Sequence, residues 1–172
     1  MGMDILRKQL EALHDDSFMW ALQCCRGDYD EASDVLQCVY EKIVAGRAVF
    51  GGRSKLKTWV FSVIAKTAAQ RFRKRSRRSM LLATFGQERV DRASPQVEVE
   101  RREMRDVILR AMENLSPRQR TILELVFYHD LTVVEAAEVM EVSVGTARVH
   151  YDRAKKELRK RLEESGDEHA MG

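Results

Sequence analysis

Apolar residues recur along the chain at three- and four-residue spacing, and no run alternates with period two over the length of a strand. That pattern predicts an all-α fold. Val35, Leu36, Val39, Tyr40 and Ile43 form the stripe of one helix, capped by Asp30 and ending at Gly46 after Gly27 and Asp28 break an earlier pattern. Leu56, Trp59, Val60, Val63, Ile64 and Thr67 form the stripe of a second, capped by Ser54 and running to about Arg78. Both prolines mark helix starts, Ser94 with Pro95 and Ser116 with Pro117, and two capping boxes follow from Ser116 with Gln119 and Thr132 with Glu135.

Between Ser76 and Ser94 the periodicity fades, apart from a short apolar patch at Met80, Leu81 and Leu82. Two small helical domains joined by a flexible linker result: residues 1–78, a linker with a helix from Pro95 over 79–110, a second domain over 111–165, and a tail over 166–172. With 172 residues of which 44% are hydrophobic, each domain has enough apolar material for its own core.

The segment LTVVEAAEVMEVSVGTARVHYDRAKKELRKRL reads as helix, tight turn, helix. The first helix spans about Val133 to Met140, with Ala136, Ala137 and Met140 inward, and the turn falls at Glu141 and Val142. The second is capped by Ser143 and buries Ala147, Tyr151, Ala154, Leu158 and Leu162. Small residues at Ala136, Ala137 and Ala147 suit the close crossing of a helix-turn-helix, whose second helix enters the major groove. Phase then points Ser143, Gly145, Thr146, Arg148, Val149 and Arg153 outward, with Arg148 placed for a guanine edge and Thr146 for a base edge or phosphate. Arg153, Lys155, Lys156, Arg159 and Lys160 fall nearer the backbone, where they supply affinity. The competing reading is a plain three-helix bundle with a basic surface helix.

The net charge of +3 is modest, but its distribution is uneven. Residues 1–41 hold nine acids against Arg7, Lys8 and Arg26; residues 42–87 hold twelve bases and no acid. A charge run is usually a solvated face, yet one of this length repels itself unless a polyanion neutralises it. Its helix mixes bases with Trp59, Phe61 and Phe72, a combination suited to single-stranded nucleic acid, where bases stack on rings and cations follow phosphates. Trp59 falls on the apolar stripe and reads as core; Phe61 lies off it and is the better candidate for contact. The loop residues Phe50, Gly51, Gly52 and Arg53 suit admission of a flipped base, because glycine allows a close backbone approach.

Cys24, Cys25 and Cys38 have no metal-ligand spacing and read as reduced thiols. No stretch approaches the ~20 apolar residues of a membrane span, and MGMDILRKQLEAL is charged where a signal peptide is apolar, so a cytoplasmic chain without membrane insertion is expected. No nucleophile–base pair, phosphate-binding glycine loop or metal cluster appears, so a non-enzyme without a cofactor is expected.

Two stretches resemble the sigma-70 family of bacterial RNA polymerase sigma factors, in the compact extracytoplasmic-function form that keeps regions two and four. DYDEASDVLQCVYEKI with SKLKTWVFSVIAKTAAQRFRKR resembles region two; LSPRQRTILELVFYHDLTVVEAAEVMEVSVGTARVHYDRAKKELRKRL resembles region four. The resemblance implies that Asp34 and Gln37 meet the clamp of the polymerase β′ subunit. It implies that Arg53, Lys55, Lys57, Phe61, Lys66, Arg73 and Lys74 hold the melted minus-ten strand. Region four implies a seat on the β flap while Ser143, Gly145, Thr146, Arg148, Val149 and Arg153 read the minus-thirty-five element, and an anti-sigma factor is the expected regulator. Departures from the family pattern fall at Cys38, Thr67, Arg71, Glu141, Val149 and His150. The rival readings are a stand-alone helix-turn-helix regulator and a sigma-mimicking interaction protein.

Overall fold

The computed structural model describes residues 3–82 and 115–170, and its elements there are helical. The chain divides into two compact units, Met1–Ser94 and Pro95–Gly172. The helix expected at Pro95 lies outside the described residues, as does the side chain of Leu162.

The N-terminal unit contains α1 (Met3–Ala12), α2 (His14–Cys24), α3 (Tyr29–Val44) and α4 (Leu56–Leu82). The last three pack against one another around Trp20, Val35, Val39, Ile43, Val60, Phe61 and Ile64, all buried. The cap of α3 is Asp28 and not Asp30: Asp28 Oδ1 accepts the Glu31 N–H at 3.0 Å, and its extended backbone follows Gly27 at φ 84°. Asp30 lies inside the first turn, where its charge faces the positive end of the helix. α3 stops as the sequence indicates. Gly46, at φ 66°, donates to the Ile43 carbonyl and Arg47 to that of Lys42, which is a Schellman closure. α4 starts one residue later than expected, because the Lys55 carbonyl takes the first bond, from Trp59 N–H at 3.1 Å; Ser54 stands outside the helix. α4 then continues through Leu82, past Arg78.

The phase of α4 overturns the expectation for its aromatics. Phe61 is fully buried and Trp59 only half-buried. Trp20 of α2 accounts for this. Its ring stacks on Phe61 with centroids 5.7 Å apart and planes 9° from parallel, and its indole N–H donates to the Phe61 carbonyl at 3.1 Å. Residues 58, 60, 61, 64, 67 and 68 are therefore the buried arc, wider and rotated from the stripe read in sequence. Trp59 packs instead on Phe50 of the preceding loop, 5.4 Å between centroids.

The C-terminal unit contains α5 (Pro117–Leu123), a π-helical turn over Glu124–Tyr128, α6 (Val133–Val139) and α7 (Val144–Ala170). Both capping boxes form: Ser116 with Gln119, and Thr132 with Glu135. α5 and α6 both lie against α7, with Ile122, Leu123, Leu125, Ala136, Ala137, Ala147 and Ala154 buried. Ala136, Ala137 and Ala147 leave room for the close crossing, whereas Met140 stays half-buried as the C-cap of α6.

Candidate nucleic-acid interface

The turn between α6 and α7 is a Schellman closure built on a glutamate. Glu141, at φ 54°, donates to the Glu138 carbonyl at 3.2 Å, and Val142 donates to that of Ala137 at 3.1 Å. Ser143 then caps α7, its Oγ accepting the Thr146 N–H at 3.0 Å and lying 2.8 Å from Thr146 Oγ1. Behind the cap, Ala147, Tyr151, Ala154 and Leu158 hold one side of α7 against the unit. Ser143, Gly145, Thr146, Arg148, Val149 and Arg153 are all exposed: Gly145, Val149 and Arg153 lie opposite that side, Thr146 and Arg148 flank it, and Ser143 stands at the helix start. Asp152 shares that exposure, a carboxylate the sequence reading passed over.

Along the rest of α7, Lys156, Arg159 and Lys160 are exposed, while the Lys155 ammonium sits 4.9 Å above the Tyr151 ring. Tyr151 also stacks on Phe127 of the π-helical turn, 6.1 Å between centroids. At the start of that turn, burial pushes the Glu124 carboxyl up to about 7 against the opposing pull of Arg120.

On the N-terminal unit, the cations read as strand contacts differ in their surroundings. Arg53, Lys55, Lys66, Arg73 and Lys74 are exposed. Lys57 is tied down, with Nζ 2.7 Å from Asp16 Oδ2 and 5.6 Å from the Phe61 centroid. Phe61 itself has no surface to offer a base. In the loop before α4, Gly51 and Gly52 are exposed with open space where a side chain would stand, and Gly52 needs its φ of 69°.

Asp34 and Gln37 are exposed on α3, and both already have partners. Asp34 Oδ2 accepts from Arg71 Nη2 at 2.8 Å, and Gln37 Nε2 donates to Glu41 Oε1 at 3.1 Å. Beside Gln37 an open groove of about 780 Å³ is lined by His14, Phe18, Leu36, Tyr40 and Val44. Two of the departures read in the sequence meet α3 here. Thr67 accepts the Lys42 ammonium at 2.9 Å, and Arg71 Nε donates to Glu31 Oε1 at 2.7 Å as well as holding Asp34. The acidic helix beside an acid-free one was the signal for this clamp of charges, but it did not single out Arg71.

The three cysteines are half-buried free thiols. Burial, with Glu31 and Asp28 adding to it, pushes the Cys25 thiol up to about 11, so it is protonated at neutral pH. Among the described residues, no cluster of three or more His, Cys, Asp or Glu is placed to hold a metal ion, and no helix is long and apolar enough to cross a membrane.

Residues 105–158 match the sigma-70 region 4 family. The chain is 27% identical over 159 residues to the extracytoplasmic-function RNA polymerase sigma factor SigX of Bacillus subtilis, covering 89% of this chain and 81% of the relative. It is 24% identical over 145 residues to SigW of the same organism, covering 79% and 78%. Its fold is similar to that of the sigma factor RpoE of Bartonella quintana, solved in complex with the anti-sigma factor NepR. The TM-score there is 0.72 at 22% identity, over 94% of this chain and 98% of the other.

Proposed function

We propose that the chain is a sigma factor of the sigma-70 family in its extracytoplasmic-function group, and that its two units divide the work of directing RNA polymerase to a promoter. The exposed side of α7 reads the minus-thirty-five element from the major groove. Arg148 addresses a base edge, while Arg153, Lys156, Arg159 and Lys160 grip phosphates. The observation that supports this reading is the phase of α7: Ala147, Tyr151, Ala154 and Leu158 turn toward the unit, and every candidate reader is left exposed.

The N-terminal unit holds the minus-ten strand with Arg53, Lys55, Lys66, Arg73 and Lys74. The stacking role assigned to Phe61 passes to the half-buried pair of Phe50 and Trp59, next to the open glycines. Asp34 and Gln37 meet the β′ clamp, with region four on the β flap, and an anti-sigma factor covers these surfaces when the protein is held inactive. In this scheme the chain is a specificity subunit, and the chemistry of RNA synthesis belongs to the polymerase.

Purified core polymerase tests the scheme. Adding the chain should give transcripts with fixed start sites from genomic DNA of the source organism, and the absence of any such transcript overturns it.

A further inference from the structure

The reading face of α7 has an apolar residue at its centre. Val149 lies on the side of the helix opposite Ala147, Tyr151, Ala154 and Leu158, turned away from the unit. It is 46% exposed. One turn earlier stands Gly145, which has no side chain to shield it, and one turn later Arg153. Three residues earlier stands Thr146, whose hydroxyl is engaged by the Ser143 cap at 2.8 Å. Besides its remaining hydroxyl capacity, Thr146 brings a methyl group to this face.

A valine this exposed, in the first turns of a cationic helix, gains little from the fold. In the major groove, one group on the base pairs rewards an apolar side chain: the C5 methyl of thymine. Resting on the proposed role of α7, we infer that Val149 is a specificity-determining residue that selects a thymine in the minus-thirty-five element by contact with its methyl, Thr146 contributing to the same apolar step and Arg148 reading a neighbouring pair. The valine has no donor or acceptor, so it tells thymine from cytosine only through that methyl.

Uracil, which pairs as thymine does but lacks the methyl, gives the test. Duplex libraries with a random block are made once with thymine and once with uracil, and each is selected with the chain bound to purified core polymerase. Selection from the thymine library should fix a T·A pair at one step. In direct binding, replacing that thymine with uracil should weaken the wild-type complex about fourfold, the value of one buried methyl-sized group. Val149→Ala should bind the thymine and uracil duplexes almost equally, with an unchanged melting temperature. If a motif is selected but the wild type binds thymine and uracil alike at every step, or Val149→Ala discriminates as the wild type does, the inference is wrong and the promoter-reading role stands. If neither library yields a motif, the promoter-reading role fails and the inference falls with it.

Discussion

Arg71 on α4 and Asp34 on α3 are joined across the helix pair at 2.8 Å, and the same guanidinium reaches Glu31 at 2.7 Å. One arginine thus fixes the orientation of the carboxylate assigned to the polymerase clamp. The Glu31 side chain is 24% exposed and that of Asp34 62%, so the inner arm holds the larger share of the energy. Arg71→Ala should lower the stability of the N-terminal unit by about 1 kcal/mol in urea unfolding. A double-mutant cycle should show stronger coupling of Arg71 to Glu31 than to Asp34. Arg71→Lys should recover only part of the loss, since an ammonium cannot span both carboxylates as the fork does.

Arg148 and Lys156 should separate base reading from phosphate grip. Arg148→Ala should cost ~1–3 kcal/mol on the preferred duplex and relax the choice at one position. Lys156→Ala should weaken all duplexes alike and lower the slope of log affinity against log salt by about one. Filter binding of the polymerase complex across a salt series, on matched and scrambled duplexes, measures both.

Glu124 gives the C-terminal unit a pH dependence of a definite sign. Burial raises its folded carboxyl from 4.5 to about 7, so between those values the folded state holds a proton that the unfolded state has lost. Stability from this group is full below about 4.5, falls as pH rises through about 7, and is flat above. Thermal melts at pH 5.5 and pH 8 should show the wild type losing stability on the alkaline side by more than Glu124→Gln does. The glutamine variant should be the more stable of the two at pH 8.

Glu141 holds a left-handed backbone at φ 54° in a closure that favours glycine. Glu141→Gly should therefore stabilise the C-terminal unit, by up to ~1 kcal/mol, after the larger chain entropy of glycine in the unfolded state is deducted. Differential scanning calorimetry should find a raised midpoint for that unit, and an unchanged or lowered midpoint would show the closure to be unstrained.

Most helix starts and stops set by local chemistry were legible, although the α3 cap fell at Asp28 in place of Asp30 and Ser54 stood outside α4. The boxes at Ser116 and Thr132, the cap at Ser143 and the closure at Gly46 each depend on residues within one turn. The reading face of α7 was legible for a related reason: its buried side is a single stripe of alanines and larger apolar residues against two short helices. α4 was misread because its buried arc is set by a partner forty-one positions away in sequence, Trp20, whose ring claims Phe61 and turns Trp59 outward. Arg71 was noticed as a departure, and its use was hidden for the same reason. Nothing in its own helix names Glu31 and Asp34 as its partners.

α4 is one helix of 27 residues, about 40 Å at ~1.5 Å per residue, and its two ends face different tasks. It is anchored as far as Arg71, with Phe61 under Trp20 and Arg71 held by α3, and just beyond that point Arg73 and Lys74 are exposed. Mechanically this is a cantilever. In the proposed scheme, a pull on a strand held at Arg73 and Lys74 passes down this stiff helix to the stacked rings of Trp20 and Phe61 and to the shared guanidinium of Arg71.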